Sequence, residues 1–382
     1  MKIGILTQPI INNYGGILQA WALQNVLKQM GHDPTMIRFC RMEHYHSFEM
    51  RLQCIKRFFK NCVRVVLGRH WYSLPNEVQT SYISQNIKYF VDKYITPISH
   101  LIISPSQLKA YCNSEKFDAY IVGSDQVWRP MYSPKITNFF LDFTKNQEVK
   151  RIAYAASFGT NQWEFTATDT KKCAKLARRF DGISVREDSG IRLCKEHLEV
   201  NAIQVLDPTL LLKKNDYEEL VTKENESPHL GNLFCYVLDK TEEKNNIITT
   251  VANKIGLTPF STMPSRIFSM GNYHKNKVDC VYPAVTAWLR SFIDAKFVLT
   301  DSFHGCAFSI LFNKPFIAIG NIQRGQSRFN SLLKLFNLES RLCMNIDQII
   351  LELEKPINWE SVNEILDREK KKSIQFLCKN IE

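Results

Sequence analysis

What this chain lacks narrows its function first. No stretch of its 382 residues approaches the ~18–20 consecutive apolar residues of a membrane span. Its start, MKIGILTQPI, has the pattern of a strand rather than of a signal peptide. Eleven cysteines are present, but none stands in C-x-x-C and none has the Cys/His spacing of a zinc site. Five of them (Cys62, Cys112, Cys235, Cys306 and Cys378) sit inside apolar runs as small buried hydrophobes do. Reduced thiols, a cytoplasmic setting and no metal are therefore expected. G-x-G-x-x-G is missing, so a dinucleotide is not indicated. Acidic residues are in deficit, 38 against 49 basic ones, for a formal net charge of +11. That excess asks for an anionic partner. Without any nucleic-acid module signature, the partner expected is an anionic substrate or the inner membrane surface rather than RNA or DNA.

What is present reads as alternating α/β structure in two parts. The length is too great for one ordinary core, and 45% hydrophobic with 23% charged residues suits a soluble globular chain. A β-type run at Lys2–Thr7 leads into the loop Asn12-Asn13-Tyr14-Gly15-Gly16. Apolar positions from Ile17 to Met30 then recur at helical spacing, and 34–39 is the next strand. Strand, glycine loop, helix, strand opens a doubly wound domain. Its loop either lines a cleft at the carboxyl ends of the strands or merely makes the turn. FDAYIV (117–122) is a buried strand running into Ser124, Asp125, Gln126 and Trp128, a polar cluster that looks like part of a ligand cleft. Strands follow at 151–157 and 182–185. The second delivers Arg186 to a strand-to-helix junction, where its guanidinium either clamps a carboxylate or phosphate or pairs on the surface with Glu187 or Asp188. A strand at 203–206 ends at Asp207-Pro208-Thr209.

The polar stretch from Lys213 to Gly231 is the expected boundary. It gives a first domain over 1–212, a linker over 213–230 and a second domain over 231–382 with terminal helices. Residues 41–115 interrupt the first domain with helical, basic, aromatic sequence. Arg51, Lys56, Arg57, Lys60, Arg64 and Arg69 lie beside a helical apolar repeat. Such a helix lies on an anionic membrane surface or packs on a core with its basic face solvated.

The most informative stretch is FVLTDSFHGCAFSILFN (297–313). A short strand breaks at a polar elbow and a helix follows. Asp301 and Ser302 are N-cap types, which places His304 in the first helical turn beside free amides and the positive end of the helix dipole. Gly305 removes a side chain where a ligand would approach the backbone.

Taken together, NNYGGILQAWALQ, FDAYIVGSDQVWRP, RIAYAASFG, SVRED, LDPTLLL, VYPAVTAWLRSFIDAKFVLTDSFHGCAFSILFNKPFIAIG and SRFNSLL resemble, in this order, the polysaccharide pyruvyl transferases. The likeness covers nearly the whole chain apart from 41–115. It implies an α/β fold of two Rossmann-like domains facing across a cleft, similar to glycosyltransferase B. It also implies transfer of the enolpyruvyl unit of phosphoenolpyruvate to a sugar of an exopolysaccharide, a capsule or a lipid-linked precursor. A pyruvate ketal and phosphate would result, with no cofactor beyond the co-substrate. His304 matches the family's catalytic His before Gly, and Arg186 matches an arginine that some members use on the donor. Around them the donor side would include Asp301, Ser302, Gly305, Arg324 and Arg328. The acceptor side would include Asn13, Tyr14, Gly15, Gly16, Ser124, Asp125, Gln126 and Trp128. One departure stands out: some members carry Arg two residues before the His, where this chain has Ser302. Two other readings are a nucleotide-sugar glycosyltransferase of the same architecture and a non-catalytic protein of polysaccharide assembly. The first would need a glycine-rich diphosphate loop and an acidic ribose partner, and neither is found.

Overall fold

The strands are short, strongly apolar and parallel, and they build two sheets. The computed structural model describes residues 1–40, 75–133, 135–145, 147–320 and 326–382. β1 (Lys2–Leu6), β2 (Asp33–Ile37), β3 (Ala119–Val122), β4 (Lys150–Ala156), β5 (Gly182–Val185) and β6 (Ile203–Gln204) pair in the order β2-β1-β3-β4-β5-β6. β7 (Leu233–Tyr236), β8 (Pro259–Phe260), β9 (Phe297–Thr300), β10 (Phe316–Ile319) and β11 (Leu342–Cys343) pair as β11-β10-β9-β7-β8. Every pairing is parallel. A parallel sheet is covered on both faces, which is why AYIV in β3 and FVLT in β9 are continuous apolar runs and buried throughout. Parallel strands also deliver all their carboxyl ends to one rim of each sheet, where clefts form in such folds.

The two units meet through aromatic packing. The helices used below are α1 (Tyr14–Gln29), α2 (Val285–Asp294), α3 (Phe303–Leu311), α4 (Ser327–Leu335) and α5 (Trp359–Ile381). Tyr14 of α1 stacks on Trp288 of α2 with ring centroids 5.7 Å apart, and its hydroxyl donates to the Pro283 carbonyl at 2.9 Å. The boundary segment is part of this core and not a free linker. Its helix, Lys214–Lys223, carries the fully buried Tyr217, packed 5.3 Å from Trp21 and 5.1 Å from Phe308.

The chain also crosses between units. The sequence boundaries group the terminal helices with the second unit, yet α5 packs on the first. Ser373 accepts from the Leu206 amide at 3.0 Å, Lys370 Nζ donates to the Leu212 carbonyl at 3.0 Å, and Phe376 lies 6.3 Å from Tyr154 of β4. Its apolar face, including Leu377 and Ile381, is what it buries there. Conversely, the helices Glu77–Ile83 and Gln85–Tyr94 pack on the second unit. The Tyr282 amide donates to the Ile83 carbonyl, and Asn86 donates to the Tyr282 carbonyl. Residues 41–74, which hold the six basic residues named above and Cys62, lie outside the described residues. The nine described cysteines are free, and no described helix is long and apolar enough to cross a membrane.

Candidate active site

His304 reaches the first unit from the elbow that β9 makes into α3. The Thr300 hydroxyl donates to the Tyr236 carbonyl at 2.8 Å and accepts from the Ser302 amide at 3.1 Å, which turns the chain. Ser302 is the N-cap residue, as its type suggests, but its hydroxyl caps no amide among the described residues. Asp301 and Gly305 have structural tasks instead of open donor-side positions. The Asp301 carboxylate accepts from the amides of Leu238 and Asp239 at 2.7 and 3.0 Å and from Lys244, clasping the exit of β7. A Cβ on Gly305 would sit 2.1 Å from Thr300 Oγ1, so this glycine lets α3 rest on its own strand. Across the cleft, a Cβ on Gly15 would sit 2.1 Å from Cγ and Nδ1 of His304. Tyr14, Gly15 and Gly16, expected as part of a loop, form the first turn of α1, and Gly15 makes room there for the imidazole.

Beneath His304 lies a buried charge network from four strand exits of the first sheet. Asp207, following β6, stands 3.7 Å from His304 Nε2. Its Oδ2 accepts from Arg186 Nη1 at 2.8 Å and from the Ser124 hydroxyl at 3.1 Å. Its Oδ1 accepts from the Thr209 amide and hydroxyl at 3.0 and 2.8 Å. Arg186 Nη2 donates to Asp125 at 3.1 Å, and the guanidinium lies 4.3 Å above the Phe303 ring. Burial pushes the Asp207 carboxyl up, but His304 and Arg186 outweigh it and hold the group well below the usual carboxylate range. Asp125 is also held low, with burial opposed by Arg186, His304 and Arg328. Arg186 is thus neither a surface partner nor a free anion clamp: both of its terminal nitrogens hold carboxylates, and only Nε lacks a hydrogen-bond partner among the described residues.

Two further groups complete the charge. Arg328, in the first turn of α4, takes part in no ion pair among the described residues, and its Nε lacks a hydrogen-bond partner there. Burial and the charge of Arg186 push its guanidinium down to about 10. Glu187 is fully buried. Its Oε1 accepts from the Ser157 hydroxyl at 2.9 Å and from the amides of Phe158 and Gly159 at 2.8 and 3.3 Å. Its Oε2 has no partner among the described residues, and burial pushes the carboxyl up. Two guanidiniums face the carboxylates of Asp125 and Asp207, so with Glu187 and His304 both protonated the site is cationic by one. His304 Nε2 is itself buried and without a hydrogen-bond partner among the described residues. A proton carrier beside an unquenched cation suits an anionic substrate that must be protonated.

The expected acceptor residues divide. Asn13 caps α1 by accepting from the Gly16 amide at 3.2 Å. Ser124 and Asp125 belong to the charge network. Gln126 accepts from Arg129 at 3.3 Å. Tyr14 and Trp128 are core residues: the Trp128 ring is fully buried, stacks 4.8 Å from Phe140 and donates to the Phe139 carbonyl at 2.9 Å. An aromatic beside a polar cluster reads as a cleft wall in sequence; tertiary packing turned these two inward. The open space lies instead between Asn12 and the exits of β7 and β8. There, a cavity of about 210 Å³ is lined by Asn12, Ile83, Leu238, Lys240, Met263 and Tyr282 among others. Arg324 falls outside the described residues. Asp207 and Glu187 were not legible as site residues. A carboxylate before Pro208 looks like a chain breaker, and one after Arg186 looks like its surface partner. The available signal was their position, each just past a buried strand. Among the described residues there is no cluster of three or more His, Cys, Asp or Glu side chains able to hold a metal.

A family model described as polysaccharide pyruvyl transferase matches residues 13–323. No curated protein matches the sequence. Among solved structures, UDP-N-acetylglucosamine 2-epimerase from Rickettsia bellii aligns at a TM-score of 0.52 and 10% identity, covering 100% of this chain and 97% of that one. UDP-GlcNAc 2-epimerase from Neisseria meningitidis, bound to UDP-GlcNAc, gives 0.51 and 11%, with 100% of both chains covered. UGT89C1 from Arabidopsis thaliana, complexed with quercetin, gives 0.52 and 9%, covering 100% and 99%. At these identities the likeness shows the fold, which is of the glycosyltransferase-B type.

Proposed function

Because the chain belongs to the polysaccharide pyruvyl transferase family, we propose that it moves the enolpyruvyl unit of phosphoenolpyruvate onto two hydroxyls of a saccharide. The products are a pyruvate ketal and free phosphate. The observation that carries this reading is His304, buried at the junction of the two units with Nε2 unpartnered among the described residues, beside Asp207, with Arg328, in no ion pair among the described residues, acting on the same Asp125. Protonated His304 gives its proton to the methylene carbon of the donor, and Asp207 at 3.7 Å stabilises the imidazolium. An acid so placed supplies on the order of 10²–10⁴ in rate. The first sugar hydroxyl then attacks the oxocarbenium-like carbon and returns its proton to the imidazole. Arg328, Arg186 Nε and the free amides at the start of α3 hold the donor's carboxylate and phosphate, with Arg328 taking the place of the arginine that Ser302 replaces.

The saccharide approaches through the cavity beside Asn12. Its apolar lining by Ile83, Leu238 and Met263 favours an acceptor on a polyprenyl carrier, worked on at the inner face of the cytoplasmic membrane. Incubation with phosphoenolpyruvate and a panel of lipid-linked and free oligosaccharides tests the proposal. Acceptor-dependent phosphate release is expected. No release across the panel, together with no donor binding by calorimetry, would overturn it.

A further inference from the structure

The reaction proposed above moves two protons, and His304 can account for only one at a time. Each of the two sugar hydroxyls gives up a proton; one ends on the methyl carbon and the other on the departing phosphate. We propose that Glu187 is the second acid, and that its unshared oxygen protonates the leaving phosphate. This inference rests on the reading of the reaction given above.

Three observations carry it. First, Glu187 is fully buried, yet only one of its oxygens is used: Oε1 accepts three hydrogen bonds, and Oε2 has no partner among the described residues. A buried carboxylate oxygen left bare is costly, whereas a protonated one is a donor waiting for an acceptor. Second, its neighbours also have open donors. Arg186 Nε, Arg328 Nε and the hydroxyls of Ser189 and Ser327 are all buried without partners among the described residues. Arg186, Glu187 and Ser189 lie on the segment after β5 and Ser327 and Arg328 at the start of α4, and the two elements are joined by the Asp188 amide donating to Ser331 Oγ at 2.8 Å; the charges of Arg186 and Arg328 both act on Glu187. With Glu187 protonated, all five open groups are hydrogen-bond donors, which suits a phosphate dianion. Third, burial already favours the protonated form of Glu187, against the opposing charges of Arg186 and Arg328. The buried thiol of Cys194 also feels the charge of Glu187.

The step balances. As the bond between the donor's C2 and its phosphate oxygen breaks, the electron pair goes to oxygen, which takes the Oε2 proton and leaves as hydrogen phosphate. The new Glu187 carboxylate, flanked by the two guanidiniums, recovers a proton from the second sugar hydroxyl when that oxygen closes the ketal. His304 and Glu187 thus each give one proton and receive one.

The test compares the full-length wild type with Glu187→Gln. The amide keeps an oxygen for Ser157, Phe158 and Gly159 but has no proton to transfer. Donor affinity should stay within about threefold, while single-turnover phosphate release should slow on the order of 100-fold and its fall at high pH, set by two acids in the wild type, should become that of His304 alone. Release within about threefold of wild type would overturn the assignment. Ser157→Ala provides an independent arm should Glu187→Gln not fold. Removing a hydrogen bond that favours the ionised form should move one of the two steps of the high-pH fall upward, and a profile with neither step moved would overturn the assignment. If the wild type releases no phosphate with any acceptor, the reading of the reaction fails, and inorganic phosphate then decides the site. Isotope-edited infrared difference spectra should show a protonated carboxyl perturbed by phosphate in the wild type and not in Glu187→Gln. An unperturbed wild type would overturn the inference.

Discussion

Gly15→Ala tests whether the two units are fitted to each other at the histidine. The added Cβ would lie 2.1 Å from Cγ and Nδ1 of His304, against an ordinary contact of 3.4 to 4 Å. Something must therefore move by about 1 Å or more, and overpacking of this kind costs about 1–3 kcal/mol. Neither side yields easily. Gly15 lies in the first turn of α1, anchored by the Tyr14–Trp288 stack and the Tyr14–Pro283 hydrogen bond. The histidine backbone lies in a fully buried helix. The imidazole is the softest member and should swing away from Asp207. A misplacement of about 1 Å at the reacting group costs on the order of 10² in rate. Phosphate release from phosphoenolpyruvate should fall by about that factor, while thermal unfolding shifts by only a few degrees. A variant with wild-type kcat and unchanged melting would refute the claim that Gly15 is reserved for His304.

Substitutions at three other positions separate binding, network and core. Arg328→Ala removes a cation that has no ion pair among the described residues; it should raise the Kd for phosphoenolpyruvate at least about tenfold by calorimetry, since charge-assisted contacts are worth about 1.5–3 kcal/mol, while leaving the melting temperature unchanged or higher. Asp207→Ala leaves the buried Arg186 with only Asp125 of its two carboxylates and should cost roughly 3–5 kcal/mol in denaturant unfolding. The pH dependence has a definite sign. Asp207 and Asp125 are held below their unfolded values, so their contribution is present above about pH 4 and is lost as the pH falls through the folded values. The acid limb of stability should therefore flatten in Asp207→Asn. Trp128→Ala should cost about 3–5 kcal/mol as a core truncation, with donor affinity in the folded fraction unchanged; a selective loss of binding would return this ring to the cleft.

The strand exits were legible because a parallel sheet requires short apolar runs that break sharply into polar residues. FVLT into Asp301-Ser302, GISV into Arg186 and AYIV into Gly123-Ser124-Asp125 all show that pattern, and all three exits meet at the site. Long-range packing was not legible. Nothing in the periodicity of 359–381 says which sheet its apolar face will cover, so α5 could not be assigned to the first unit. Tyr14 and Trp128 were drawn inward by partners 274 and 12 residues away, Trp288 and Phe140. The roles of Arg186 and Asp207 depend on each other. A buried guanidinium becomes a structural hub only when two carboxylates arrive from other strand exits, and neither side of that arrangement has a local signature.

In the proposed reaction His304 protonates the donor's methylene carbon. Running the reaction in D2O with an active acceptor tests it most directly, by following the ketal methyl group in NMR alongside phosphate release. The wild type should give a methyl group carrying deuterium, one ketal per phosphate, and His304→Ala should give neither product while binding phosphoenolpyruvate within a few-fold of wild type. A product that keeps its vinylidene carbon, or full turnover in His304→Ala, would contradict it.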